Sequence, residues 1–363
     1  MFPIRDPYEM TAERSVSPTA YLDLLRAVAI VLVVNSHLDD LYPIHQLGTG
    51  GVFGNELFFF ISGYGLYLSY QASREAFGRW FARRLTRVYE PLFIVATFLV
   101  LVGDAHIRTL ADFFWIYVIP LQFWFLPTIV GCYVPIYFIM SKMEAKRSFV
   151  YLFAGLAIAY ILLFSIFAEK TSWLTENYTV QTEVTLPLRL IFYFGTMVLG
   201  VYAAKFHRDA KGKITDLLWL MASAAAFYLF VGLLGRFIPF EVQIIDRIPA
   251  LFVLLFAFRF SRYPWLEQFV ANHLSGLVSL LAGVALQIYL LHDFILRQDS
   301  LHSIAFPANL IVFWMATITL SVVFERITLR RQTKIRPAQG VAGTQSGEAK
   351  DNRRLSSELK RVS

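Results

Sequence analysis

The sequence has one cysteine among 363 residues, Cys132, set in an apolar run. This excludes an internal disulfide framework and a cysteine-based metal site, and it leaves the redox compartment open. Charge is scarce as well. Asp, Glu, Lys and Arg make up 16% of the chain, well below the roughly 25% of a soluble globular protein. No internal repeat is visible, and no two interrupted apolar segments recur at matching places in two halves, so the usual signature of an inverted-repeat transporter is missing. Residues 1–19 carry Arg5, Asp6, Glu9, Glu13 and Arg14 with no apolar core. No signal-peptide pattern therefore precedes the first hydrophobic run, which is expected to remain as a span. What the chain has in quantity is apolar side chain: 57% hydrophobic and 16% aromatic, with a mean hydropathy of +0.54. These values predict an all-α, polytopic integral membrane protein.

Apolar stretches long enough to cross about 30 Å of hydrocarbon fall near 20–38, 52–70, 88–103, 121–141, 148–168, 187–204, 215–235, 247–261, 275–295 and 304–325. The expectation is ten transmembrane helices, with a short interfacial or re-entrant helix over 111–121. The net charge of +7 does not point to nucleic acid, because the basic residues sit in short clusters between apolar runs and in the tail, where membrane lipid headgroups and loop orientation explain them. Placing both termini in the cytoplasm puts about 26 Lys and Arg on the inside and 5 outside, and the bias alternates loop by loop as the positive-inside rule requires. The domain reading is a cytoplasmic segment over 1–19, a transmembrane domain over 20–326, and a basic, disordered tail over 327–363. The stretch Glu169 to Leu186 is the longest outer loop, a candidate acceptor-facing lid that reads more readily as an ordinary connection with interfacial aromatics.

Arg26 and His37 are eleven residues apart in the first span. At about 100° and 1.5 Å per residue they fall on one helical face, roughly 16 Å apart along the axis. Two ionisable groups aligned on one membrane helix suggest a polar path, since each costs a few kcal/mol in hydrocarbon. Asp23 lies three residues before Arg26 and can hold its guanidinium, although the two also suit a helix end at the interface. Asn35, Ser36, Asp39 and Asp40 make the surroundings of His37 polar. In the second span Glu56 falls at the expected level of His37, where it could orient or charge-stabilise the imidazole, while Ser62, Gly63 and Gly65 suit close packing. Arg84 and Arg87, three apart at the start of the third span, can present two guanidinium forks to a phosphate, or serve only as topological charge. Trp124 in Gln122-Phe-Trp-Phe-Leu-Pro127 and the pair Tyr289 and His292 complete the candidates, with His292 at the expected level of His37. Interfacial aromatics and histidines are common enough to account for these three without chemistry.

Together these segments resemble the membrane-bound acyltransferase family 3, the type that includes O-antigen acetylases. The resemblance rests on Leu22-Asp-Leu-Leu-Arg26-Ala-Val-Ala-Ile30 with His37, on Glu56-Leu-Phe-Phe-Phe-Ile-Ser62-Gly63, on Arg84-Leu-Thr-Arg87, on Trp124-Phe-Leu-Pro127 and on Tyr289-Leu-Leu-His292. The landmarks occur in the expected order from about residue 20 to 295, and ten spans is the family's usual count. Two departures stand out: Glu56 where Asp is commoner, and Glu90 between Tyr89 and Pro91. No extracytoplasmic domain of the kind some relatives append is expected after the last span. The resemblance implies acyl transfer, most often of acetyl, from acyl-CoA to a hydroxyl of a cell-surface glycan or lipid-linked saccharide, in a bacterial inner membrane and without a metal. It implies His37 as general base with Glu56 beside it, donor contacts at Arg26, Arg84 and Arg87 supported by Asp23, and oxyanion or acceptor contacts among Tyr289, His292 and Trp124. Without the ordered motifs the same buried charges would suit a multi-span transporter or flippase.

Overall fold

A computed structural model describes residues 19–167, 182–232 and 245–335, and among them there are helices and no strands. A backbone crossing hydrocarbon has no water to bond, so each apolar stretch satisfies its N–H and C=O groups internally as helix. The elements are α1 (Ala20–Asn35), α2 (Gly51–Ser73), α3 (Phe77–Leu101), α4 (Leu110–Phe113), α5 (Phe125–Lys142), α6 (Lys146–Phe167), α7 (Thr182–Phe206), α8 (Ile214–Gly232), α9 (Arg247–Phe260), α10 (Pro264–Phe269), α11 (Ser275–Gly283), α12 (Ala285–Leu296), α13 (Asp299–His302) and α14 (Ala308–Ile335).

Each of the ten expected spans overlaps one of these helices or, for the ninth, a bent pair. Five helices among the described residues, α5, α6, α7, α8 and α14, are long and apolar enough to cross a membrane by themselves, and a sixth span results if the segments Pro264–Gly283 and Ala285–Leu296, bent by 71°, count as one. α1 and α9 are short, at 16 and 14 residues, and α3 carries a row of arginines at its start. Of the apolar windows of α6 and α8, 17% and 11% are buried, against 50% for α5 and α7. α1 and α2, about half of whose residues are buried, pack in the interior with α5 and α7, α3 buries one face against them, and the mostly apolar α6 and α8 form the rim.

Three expectations change in detail. The third helix begins at Phe77 rather than near residue 88, so the arginine cluster lies on the helix itself. Over 111–121 the chain forms α4 with a Thr109–Asp112 capping box, then one wide turn over Phe114–Val118, and Leu110, Phe113, Phe114 and Trp115 are exposed there. α14 continues to Ile335, past the expected start of the tail. Residues 1–18 and 336–363, and the proposed lid up to residue 181, lie outside the described residues.

α2 lies between α1 and α7. A Cβ on Gly63 would collide with the carbonyl oxygen of Met197 on α7, and one on Gly200 with that of Phe60 on α2. A Cβ on Gly54 would lie 2.7 Å from the carbonyl oxygen of Ala29 on α1. At both crossings backbone therefore meets backbone, and only glycine fits. Gly65, by contrast, has nothing within 4 Å of its would-be Cβ, so it takes no part in this packing. Near the α1 start and the α2 end, the hydroxyl of Tyr21 donates to that of Tyr64 at 2.8 Å, and Phe59 stacks on Tyr193 with centroids 4.6 Å apart. We expect Gly63→Ala to destabilise the protein by more than about 2 kcal/mol, as overpacking does, and Gly65→Ala to leave it unchanged. Thermal unfolding in detergent, followed by size-exclusion profile, distinguishes the two.

Candidate active site

At the end of the bundle where α3 begins, Arg83 is neutralised by Glu75 at 2.9 Å. Its neighbour Arg84 is half-buried, with its guanidinium centre 6.0 Å from the Trp80 ring centroid. The Nε and Nη2 groups of Arg84 are buried and have no hydrogen-bond partner, and the same holds for the indole nitrogen of the fully buried Trp80. Buried donors left unmade cost about 1–3 kcal/mol each, more when charged. Arg87 is exposed one turn along the same face. The sequence-predicted pair is thus brought together, with Arg84 directed inward and Arg87 outward.

One turn beyond Arg84, Val88 lines a cavity of about 270 Å³ whose other walls include Arg26 on α1, Asn55, Phe58 and Ser62 on α2, Phe125 and Ile129 on α5, and Ala282, Gly283 and Tyr289 at the bend between α11 and α12. The cavity exists because the chain breaks at Val284, between Gly283 and Ala285, instead of running straight through. Arg26 is held by Asp23 at 2.7 Å, as the three-residue spacing predicts, and it still faces the cavity. Asn55 and Ser62 are lining residues that motif reading left aside or rated as packing. The signal available for them was their spacing of seven, which returns to the same face after two turns.

Tyr289, at the cavity's other end, has its ring centroid 6.0 Å from that of His292 one turn on. The His292 ring lies 5.0 Å, centroid to centroid, from that of His37. The two histidines expected at one level therefore meet. His292 is buried at 5% exposure, whereas His37 is exposed on the loop just beyond α1. That loop is pinned: Asn35 Nδ2 donates to the carbonyls of Leu47 at 2.7 Å and Thr49 at 2.9 Å, its Oδ1 accepts from Tyr42 at 2.6 Å, and Asn309 on α14 donates to Leu41 at 2.9 Å. Asn35 thus acts as a loop clamp rather than as a ligand of the imidazole.

Glu56 has its charged neighbours at the start of α9. It is fully buried, neither carboxylate oxygen has a hydrogen-bond partner, and the charges nearest in effect are Arg247 and Asp246 at the start of α9. The groups acting on His37 are instead Asp39 and Asp293. Trp124, expected among the acceptor contacts, precedes α5 outside the cavity lining, with the Arg189 guanidinium 5.2 Å over its ring and Tyr193 at 5.6 Å. A compact group formed by Asp39, Asp40 and His45 could hold a cation, but it is exposed and shares only Asp39 with the residues above.

The arrangement sets a mostly apolar cavity, with Arg26, Asn55 and Ser62 in its wall, one helical turn from the unpaired guanidinium donors of Arg84 at its Val88 side and one turn from His292, which meets His37, at its Tyr289 side. Comparison with curated proteins and with solved structures gives no match. Residues 19–326 match the profile described as an acyltransferase domain. The chain belongs to the acyltransferase-3 family, membrane enzymes that transfer acyl groups other than aminoacyl groups.

Proposed function

We propose that this enzyme is an O-acyltransferase that takes the acyl group, in the first instance acetyl, from cytoplasmic acyl-CoA and delivers it to a hydroxyl of a cell-surface glycan or lipid-linked saccharide at the opposite face of a bacterial inner membrane. The topology that goes with this reading is ten crossings with both termini in the cytoplasm, supported by the distribution of Lys and Arg. The observation that carries the proposal is the cavity lined by Arg26, Ser62 and Tyr289, whose walls lie one helical turn from each of two groups the reaction would use. Below it, through Val88, are the unpaired donors of Arg84; above it, through Tyr289, are His292 and His37.

The donor's diphosphate fits the planar forks of Arg84 and Arg87, which bind phosphate by paired charge-assisted hydrogen bonds. The pantetheine arm enters the cavity, where Arg26, Asn55 and Ser62 offer partners for its amides and the aromatic and aliphatic walls cover its methylenes. CoA stays on the cytoplasmic side while the thioester reaches the far end, since the extended arm matches the roughly 16 Å rise between the levels of Arg26 and His37. His37 removes the acceptor hydroxyl's proton as the oxygen bonds to the thioester carbon. The tetrahedral intermediate collapses with cleavage of the carbon–sulfur bond, and the proton passes from the imidazole to the departing thiolate, giving ester and free CoA. General-base assistance of this kind is worth about 10² to 10⁴ in rate.

We expect His37→Ala to abolish transfer while the purified protein keeps its elution volume and melting temperature; normal turnover would remove the base. Arg84→Ala combined with Arg87→Ala is expected to raise the KM for acetyl-CoA by at least tenfold with a smaller effect on kcat, and an unchanged KM refutes the phosphate role. A Cβ at Gly283 would meet no atom within 4 Å, so Gly283→Leu is expected to fold, to narrow the cavity and to lower kcat/KM, more steeply for longer acyl chains. All three are measured as thiol released from acyl-CoA, in the presence and absence of added glycan. A transporter would release none.

A further inference from the structure

The side chain that orients the general base is not settled by the position of Glu56, and the hydrogen bonds of His292 identify an alternative. Its Nδ1 lies 2.8 Å from the carbonyl oxygen of Tyr289 and 3.2 Å from that of Ile288. Carbonyl oxygens only accept, so Nδ1 carries the proton. In a neutral imidazole with Nδ1–H, the lone pair sits on Nε2. Because Nδ1 is turned back onto its own helix, one turn earlier, Nε2 is on the edge directed away from α12. No hydrogen bond among the described residues engages it. The His37 ring is 5.0 Å away, centroid to centroid, with the planes at 59°. At that separation a modest rotation of the exposed His37 ring brings an N–H within about 3 Å of the His292 lone pair, which is hydrogen-bond distance.

We infer that His292 is the positioning residue for His37: it accepts an N–H from the His37 imidazole through Nε2 and thereby presents the other His37 nitrogen, with its lone pair, to the acceptor hydroxyl. A base works only in the correct tautomer and orientation, which a fixed hydrogen-bond acceptor behind it supplies. The anchor is rigid on this account. His292 is buried between α12 and the loop after α1, and its own tautomer is dictated by two backbone carbonyls that a helix holds in place. Nε2 carries no proton in this state, so His292 does not act as an oxyanion donor. Glu56, whose nearest electrostatic partners are Arg247 and Asp246, is not required to touch the imidazole.

This inference rests on the acyltransferase reading above, and its test separates the two. In full-length protein in nanodiscs, His292→Leu removes the acceptor and His292→Gln retains a carbonyl oxygen near the same place. For acetyl-CoA hydrolysis, His292→Leu is expected to lower kcat about 10- to 100-fold with KM within about twofold, as loss of part of the general-base contribution requires, and His292→Gln is expected to recover most of it. Equal loss in both variants, or unchanged kcat in His292→Leu, overturns the assignment. Nitrogen-15 spectra of selectively labelled histidine give a readout independent of turnover. The expected pattern is a protonated Nδ1 and a bare Nε2 on His292, with the His37 N–H resonance shifted in His292→Gln. A proton on Nε2 of His292 overturns the inference even in an active enzyme. Wild-type protein that releases no thiol but gives the expected spectra overturns the acyltransferase reading and leaves the histidine pair standing.

Discussion

The structure depends on backbone-to-backbone contact of α2 with α1 on one side and α7 on the other. Side chains cannot intervene where Gly63 meets Met197, where Gly200 meets Phe60, or where Gly54 meets Ala29. Helices in lipid gain little from burying apolar surface against each other, since lipid tails are equally apolar, so close packing must supply the attraction. These crossings fix both the depth and the rotation of α2. Rotation is what matters chemically, because it turns Asn55 and Ser62 toward Arg26 and Tyr289, and Glu56 toward the start of α9. A rotation of α2 by one residue, about 100°, would exchange these environments.

A second constraint is energetic. The buried nitrogens of Arg84, the indole nitrogen of Trp80 and both oxygens of Glu56 are polar atoms without partners, each a net liability to folding. Elsewhere the same chain pairs its charges: Arg259 takes Asp216 and Arg297 takes Asp104. The unpaired nitrogens of Arg84 lie one turn from the cavity wall at Val88, where a ligand able to accept their hydrogen bonds would relieve that cost. The bend at Val284 acts in the same sense. A straight helix across α11 and α12 would fill the space that the cavity occupies.

Much of this was readable from residue spacing. The three-residue step from Asp23 to Arg26 yields the observed ion pair, and the arginine step from 84 to 87 gives one face. Sequence position put His37 and His292 at one level near the outer ends of their spans, and their rings do meet, with His37 just past the end of α1 and His292 one turn inside α12. The same argument does not reach the neighbours of Glu56 at the start of α9. Depth along a helix is a function of residue number, but direction around the axis relative to a neighbour depends on which helices touch, and spacing within α2 is silent on that. Trp80 was passed over for a similar reason: an indole in an arginine cluster looks like an interfacial anchor until its nitrogen proves to be enclosed.

Composition and hydropathy therefore determined the helical class and the apolar stretches, because these follow from the period of the α-helix and the thickness of hydrocarbon. The ordered motifs determined the family. Only the tertiary structure decided which groups face one another: the break at Val284 that opens the cavity, the glycine crossings that orient α2, and the partner presented to His37. Those are properties of contacts between segments distant in sequence, and no local pattern encodes the angle at which two helices meet.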